Sequence, residues 1–319
     1  MNKTVQRILS LLCAAVLAIS LGACTEDTVA SAVDTTAAML LKTYPEPVYG
    51  PVGGEWVAFG LARRGEEVPE AWLAAYYEQV KTHVTECGGV LNERKYTEYS
   101  RVILALTAIG KDPTDVGGFN LLVPLADFDQ TVYQGLNGPI YALLALDSGN
   151  YEIPVNAAGS TQATREAYIT FILDRELPGG GWTLSGDEAD IDLTAIALQA
   201  LAKYRDQEAV AAAIDRAVGV LSSRQNAQGG YTAYDTESSE SIAQVIVALT
   251  ELGIPISDER FVKNGTTLTQ RLLDFRTADK GVAHVLGGQT DAVATQQAFY
   301  ALVAAQRAEQ GLPTLFSMA

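Results

Sequence analysis

Apolar residues recur along this chain at helical spacing, in six segments that share one plan. Each segment opens with a glycine-rich or polar turn and continues as a stretch rich in alanine and leucine. Such a stretch is apolar around much of its circumference as a helix, which is typical of a buried helix. The six predicted inner helices cover residues 53–61, 96–109, 137–146, 190–204, 238–252 and 290–306.

More mixed segments lie between them and carry Lys, Arg and Glu on one face, so we predict that they form an outer layer. They cover residues 34–43, 69–84, 164–177, 207–224 and 266–275. Before Asn137 the sequence supplies only a short outer helix, because Pro124 falls within residues 121–128. Six repeats of an inner and an outer helix predict an all-α fold, an α6/α6 toroid over residues 31–319. An open solenoid would instead need polar capping repeats at both ends.

The first 30 residues follow a different pattern. Lys3 and Arg7 precede an apolar run over residues 8–21, which at about fourteen residues is too short to span a bilayer. A basic start, a short apolar run and small residues after it predict a secretory signal peptide over residues 1–23. The ending Leu-Gly-Ala-Cys at residues 21–24 resembles the bacterial lipobox. We therefore predict lipidation of Cys24, with palmitate or a similar chain, a tether over residues 24–30, and an extracytoplasmic protein anchored to the cell membrane.

Charge and cysteine content narrow the choice of partners. The chain has 38 acidic and 22 basic residues, a formal net charge of −16. Such a surface repels phosphate backbones and anionic headgroups, so we predict no nucleic-acid partner and membrane contact through the lipid alone. Beyond Cys13 and Cys24 only Cys87 remains, so no disulfide framework is predicted. His83 and His284 lack zinc-ligand spacing, and we predict no metal and no cofactor.

Three outer-helix ends share a further motif. They read Arg-Glu-Leu-Pro-Gly-Gly-Gly-Trp at 175–182, Arg-Gln-Asn-Ala-Gln-Gly-Gly-Tyr at 224–231 and Arg-Thr-Ala-Asp-Lys-Gly-Val at 276–282. These resemble degenerate copies of the Gln-Trp repeat of squalene and terpenoid cyclases. The resemblance covers about residues 31–308 and implies the α/α toroid of the terpenoid cyclase and protein prenyltransferase superfamily, which transcobalamin-like carriers share. It implies an isoprenoid, a corrinoid or a glycan as ligand, and a protein ligand stays open.

An enzymatic alternative centres on two aspartates at the start of the fourth inner helix. Asp190-Ile191-Asp192-Leu193 resembles the Asp-x-Asp-Asp motif of class II terpenoid cyclases, with Asp192 at the proton-donor position and Leu193 replacing the third carboxylate. The resemblance implies a terpenoid-cyclase-like or glycan-active enzyme that uses Asp192 as acid, assisted by Asp190. A glycosidase also needs a second carboxyl ~5–9 Å away, and the sequence identifies none. Alternatively, the two aspartates only cap the helix or lie at its rim.

The binding hypothesis uses the whole ring. Six parallel inner helices bring six N-termini to one rim around a concave funnel, a setting that suits polar or acidic ligand groups. The candidate ligand-binding residues lie near the starts of these helices: Trp56, Tyr99, Asn137, Asp190, Asp192, Gln244, Asp291 and Gln296. We therefore predict a lipid-anchored toroid that binds a ligand or partner in its central funnel. The acid enzyme is the alternative, and a structural or protein-interaction module is the third possibility.

Overall fold

The computed structural model describes residues 28–65, 69–157, 159–233 and 236–319. The predicted signal peptide, the predicted lipidation at Cys24 and most of the predicted tether lie outside these residues. Within the described part of the chain, no helix combines the length and the hydropathy needed to cross a membrane.

Helices dominate the structure and alternate between two concentric layers. The inner helices are α2 (Trp56–Arg64), α4 (Thr97–Ala108), α6 (Asn137–Ser148), α8 (Ile191–Leu201), α10 (Ser239–Glu251) and α12 (Ala292–Glu309). The outer helices are α1 (Val29–Thr43), α3 (Glu70–Glu86), α5 (Phe128–Thr131), α7 (Arg165–Leu173), α9 (Glu208–Arg224) and α11 (Leu268–Leu273). Short 3₁₀ turns cover Val123–Ala126, Val132–Gln134, Ala202–Tyr204 and Glu259–Phe261. A two-residue antiparallel pair, β1 (Thr232–Ala233) and β2 (Thr236–Glu237), precedes α10.

The inner helices form a closed ring. Each packs against the next in chain order, and α12 packs back against α2. At this closing seam Gly60 of α2 faces the ring of Phe299 on α12, and a Cβ on Gly60 would lie 2.7 Å from Phe299 Cδ1. The all-α toroid with six inner helices is therefore confirmed for the described residues.

Contacts between neighbouring helix ends show that the inner helices are parallel. At their starts, Gly53 N–H before α2 donates to Gln296 of α12. At their ends, Arg307 of α12 donates to the carbonyl of Arg63 in α2, and Arg205 after α8 donates to the carbonyl of Leu252 after α10. We call the end where the inner helices start the upper rim and the opposite end the lower rim.

The outer layer is uneven. The third outer helix, α5, has four residues, so it is short as predicted, but it begins at Phe128, where the predicted range 121–128 ends; Pro124 lies in the 3₁₀ turn before it. The sixth, α11, has six residues where residues 266–275 were predicted to be helical. It ends early because the chain from Phe275 turns back onto the inner layer, where Ala283 N–H donates to the carbonyl of Phe275.

Two of the Gln-Trp-like segments are held by the same local arrangement. Thr194 Oγ1 accepts the N–H of Trp182 at 3.0 Å, and Thr295 Oγ1 accepts the N–H of Val282 at 2.9 Å. In both cases an aspartate four residues earlier caps the inner helix. The degenerate repeat in the sequence thus corresponds to a repeated contact between an outer-helix end and the next inner helix.

Candidate ligand site at the upper rim

Three aromatic rings form a floor inside the ring of helices. Trp56 of α2 lies 6.4 Å from Tyr141 of α6 and 5.6 Å from Tyr300 of α12, between ring centroids. Because α4 lies between α2 and α6 in the ring, the Trp56–Tyr141 contact joins two inner helices that are not adjacent. Trp56 and Tyr141 remain half-buried, whereas Tyr300 is buried. We call the region of the upper rim that these rings border the lumen.

A ladder of amides forms one wall of the lumen. Gln244 Nε2 donates to Gln297 Oε1 at 2.8 Å and to the Tyr300 hydroxyl at 2.6 Å. Behind it, Gln199 Nε2 donates to Gln244 Oε1 at 3.0 Å. The ladder fixes the tyrosine hydroxyl and leaves Gln297 half-buried, with amide groups able to bond a ligand.

Trp56 is positioned by a tight turn over residues 50–55. Gly53 has a φ of +78°, and a Cβ on Gly54 would lie 2.2 Å from the carbonyl oxygen of Val48, so this backbone path requires both glycines. Glu55 is fully buried and accepts the Gly50 N–H at 2.9 Å. Arg101 of α4 donates to Glu55 Oε2 at 3.0 Å. Burial raises the pKa of Glu55, and Arg101 opposes that rise.

Asp192, in the first turn of α8, is a half-buried carboxylate with one oxygen that lacks a hydrogen-bond partner in the described part of the chain. Its Oδ1 atom is buried and has no hydrogen-bond partner among the described residues. Burial raises the pKa of Asp192, the nearby Ser241 hydroxyl lowers it, and the charges of Asp190 and Glu240 raise it further. Burial raises the pKa of Tyr141 and Tyr300, and the charge of Asp192 raises both further, so this carboxyl lies near the two rings. Buried polar atoms usually have partners, so an unpaired one marks a place for a ligand group or water.

A histidine and a glutamate lie at the mouth of the lumen beside Asp192. His284 Nδ1 lies 2.9 and 2.8 Å from the two carboxylate oxygens of Glu240. Ser239 Oγ donates to the same carboxylate at 3.2 Å. His284 is exposed, so this pair faces solvent at the upper rim. The described residues contain no group of three or more His, Cys, Asp or Glu side chains arranged to hold a metal ion.

The predicted site residues divide into three groups. Trp56, Asp192 and Gln244 line the lumen. Asp190 and Asp291 cap α8 and α12 through backbone N–H groups, and Gln296 accepts the N–H of Gly53.

Two predicted residues do not meet the lumen group in any hydrogen bond or ring contact of the structure. The Tyr99 hydroxyl accepts the N–H of Leu91 at 3.0 Å, so this side chain holds the loop behind α4. Asn137 is half-buried at the first turn of α6.

Four lumen residues were not predicted from the sequence, namely Arg101, Tyr141, Gln297 and Tyr300. Each is a large polar or aromatic residue inside an otherwise apolar inner helix, and Gln297 and Tyr300 are three positions apart on one face. That interruption of an apolar helix is the signal that could have found them.

Comparison with known proteins identifies the fold. No family model matches the chain, and no curated protein matches it. Among solved structures, the type II terpene cyclase MstE from Scytonema is 13% identical, with a TM-score of 0.56 over 88% of this chain and 99% of that one. The unsaturated glucuronyl hydrolase from Bacillus sp. GL1 is 13% identical, with a TM-score of 0.56 over 90% and 97%. A protein from Actinoplanes is 14% identical, with a TM-score of 0.55 over 89% and 100%.

Proposed function

We propose that the lumen binds a ring of a glycan. The observation that carries this proposal is the combination of an aromatic floor, Trp56 with Tyr141, and a polar wall that includes Gln297 and Asp192. Sugar rings present one apolar face and a rim of hydroxyls, so they fit an aromatic surface bordered by amides and carboxylates. The Trp56 and Tyr141 side chains occupy the inside of the ring at the level where they meet. The ligand would therefore lie above these two side chains, at the upper rim.

The lining favours a hydroxylated ligand over an isoprenoid. An isoprenoid chain would have to cover Asp192 and Gln297 without bonding them, and burying unpaired polar groups costs about 1–3 kcal/mol each. A glycan instead offers hydroxyls that can bond the half-buried Gln297 amide and the half-buried Asp192 carboxyl.

Trp56 provides a direct readout of binding. The other two tryptophans, Trp72 and Trp182, are buried, so a ligand in the lumen changes the fluorescence of Trp56. We expect glycan fragments to shift the emission in a saturable manner. Trp56→Ala should weaken affinity at least tenfold, measured by calorimetry, which corresponds to about 1.4 kcal/mol.

Trp72→Phe is the matched control and should leave affinity unchanged, because Trp72 belongs to the outer helix α3. Unchanged affinity in Trp56→Ala, or no saturable shift with neutral or acidic glycans, would overturn the proposal.

A second candidate function is acid catalysis by Asp192. The observation that favours it is the raised pKa of this carboxyl together with its unpaired Oδ1. A carboxyl that keeps its proton to higher pH is suited to protonate a glycosidic oxygen or an alkene. Turnover of a glycan or an isoprenoid, lost in Asp192→Asn while binding persists, would establish this function.

We further propose that the toroid is lipid-anchored at Cys24 outside the cytoplasmic membrane, with its lower rim toward the bilayer. Helix α1 runs from the lower rim, where Asp34 pairs with Arg64 at the end of α2, to the upper rim, where Tyr44 lies beside Gly53. Three residues separate Cys24 from the helix cap Thr28, a reach of roughly 14 Å at most. The lumen would then open away from the membrane.

Cys24→Ala tests the anchor. We expect loss of palmitate labelling and release of the protein from the membrane fraction. Unchanged labelling and unchanged fractionation would show that the lipobox interpretation is wrong.

A further inference from the structure

Residues 313–318 cross the lower rim and close that end of the ring. We call this segment, Pro-Thr-Leu-Phe-Ser-Met, the strap. It has no helix or strand of its own, yet Leu315 is fully buried and Phe316 is buried. An irregular segment buried to this degree needs specific partners for its backbone.

Two arginines bind the carbonyl groups of the strap. Arg63, at the end of α2, donates to the carbonyls of Leu315 at 2.9 Å, Thr314 at 2.8 Å and Ser317 at 3.0 Å. Arg307, in the last turns of α12, donates to the carbonyl of Pro313 at 2.9 Å. Two arginine side chains of the ring therefore bind four backbone carbonyls of the strap, three of which are consecutive.

The ring also accepts the N–H groups of the strap. Glu251, the last residue of α10, accepts the N–H of Phe316 at 3.1 Å, and the Ser148 carbonyl of α6 accepts the N–H of Met318 at 3.0 Å. These contacts come from four different inner helices when those of Arg63 and Arg307 are included. The strap is thus held through its main chain, in the way that a groove holds an extended peptide.

One aromatic side chain anchors the strap on the ring axis. Phe316 stacks on Phe59 of α2 with 5.5 Å between ring centroids. Phe59 in turn meets Trp56 edge to face at 5.8 Å. A phenylalanine that fills a pocket between helices is the kind of residue that dominates peptide affinity.

Two cavities adjoin the strap. A cavity of about 330 Å³ lies on the side of α6 and α8 and is lined by Lys203, Asn150 and Phe316 among others. A second cavity of about 600 Å³ lies toward α11 and is lined by Ile254, Ala308 and Leu312 among others. Thr314 of the strap borders both cavities.

We propose that the lower rim is a binding site for an extended peptide carrying a Leu-Phe pair, and that the strap is its dissociable intramolecular ligand. The strap leaves and returns as a unit, and the same segment offered in trans occupies the vacated site. Main-chain recognition by Arg63, Arg307 and Glu251 supplies the affinity, and the pocket below Phe59 supplies the selectivity. This site is separate from the lumen and does not depend on what the lumen binds.

The test uses the full chain and a fluorescein-labelled peptide with the sequence of residues 311–319. In the wild type the tethered strap competes at high effective concentration, so the peptide binds weakly. In the variant Leu315→Ala/Phe316→Ala the strap is weakened and the site is intact. We expect the peptide to bind this variant at least tenfold more tightly than the wild type, by fluorescence anisotropy. Adding Arg63→Gln to the same variant should remove that gain, because the site then lacks its main carbonyl-binding group.

Equal peptide binding by the wild type and by a cooperatively unfolding double variant would overturn the proposal. A gain that survives Arg63→Gln would also overturn it. Should the double variant not unfold cooperatively, hydrogen exchange on the wild type decides. Opening of the Phe316 and Met318 amides at lower free energy than amides of α8 supports a dissociable strap, and opening only with the global transition contradicts it.

Discussion

The two ends of the ring are built from the same six helices but treat their polar groups differently. At the lower rim, Arg63, Arg307 and Glu251 are engaged by the strap, and Phe316 fills the axis. At the upper rim the axis is bordered by half-buried side chains, and Asp192 carries an oxygen without a partner.

This difference separates the two proposed sites: the lower rim is occupied by the strap, whereas the upper rim leaves half-buried polar side chains for a ligand. Buried polar groups need partners, and the strap supplies them to Arg63, Arg307 and Glu251 at the lower rim. Among the described residues, buried atoms without a partner also occur at Tyr76, Tyr231 and Gln306, so the unpaired oxygen of Asp192 points to a site only together with its position at the upper rim. The likeness to a terpene cyclase and a glucuronyl hydrolase cannot make this distinction, because it extends to the fold alone.

The largest effect is expected from breaking the ion pair that holds the Trp56 turn at the upper rim. Arg101→Gln leaves the fully buried Glu55 without its counter-ion. We expect a loss of about 3–5 kcal/mol in the free energy of unfolding, measured by urea denaturation. Arg64→Gln is the control, because it breaks an ion pair with the exposed Asp34 and should cost less than about 1 kcal/mol. Equal losses in the two variants would mean that the Glu55–Arg101 pair does not support the turn.

The lower rim should show its own dependence on pH. Burial raises the pKa of Glu251 from 4.5 to about 7 in the folded protein. The folded state therefore binds this proton more tightly, and the resulting stability is present below pH 4.5 and is lost as pH rises through 7. Glu251→Gln keeps an acceptor for the Phe316 N–H but cannot ionise.

We expect the unfolding free energy of Glu251→Gln to match that of the wild type near pH 4 and to exceed it by about 1–3 kcal/mol at pH 8. The difference between the two proteins isolates Glu251 from the other carboxyls of the chain. A constant difference across this range would show that Glu251 does not titrate with the strap in place.

The same contrast between the two rims explains what could be predicted from the sequence. Helical periodicity and the repeat of inner and outer helices specify the ring, because burial of an apolar face depends on local spacing. Trp56 and Asp192 could be predicted as candidate site residues because they lie at helix starts, and the N-termini of parallel helices meet at one rim. Contacts between inner helices that are not adjacent, such as Trp56 with Tyr141, depend on ring diameter and have no local signature. The strap carries no periodic pattern either. Its burial depends on partners that lie far away in the sequence, such as Arg63, and that only the three-dimensional structure brings together with it.

A smaller effect should separate a capping aspartate from a lumen aspartate. Asp190 Oδ1 accepts the N–H of Leu193 at 2.7 Å and caps α8. We expect Asp190→Ala to cost about 1 kcal/mol of stability and Asp190→Asn to cost a few tenths, because asparagine caps nearly as well. Ligand affinity in the lumen should not change in either variant. A loss of affinity in Asp190→Asn would place this residue in the site rather than in the cap.

The smallest effect on stability is expected for Asp192, and it is the most informative about function. Asp192→Asn removes a carboxylate that burial disfavours, so unfolding free energy at pH 7 should change by less than about 1 kcal/mol. As a ligand contact, the asparagine amide still bonds a hydroxyl, so glycan affinity should stay within a few-fold of the wild type. As a general acid, the amide has no proton to deliver, so any turnover should fall at least a hundredfold while binding persists. Affinity and turnover measured on the same variant therefore separate the two functions, and a loss of affinity by tenfold or more would show that the charge of Asp192 itself binds the ligand.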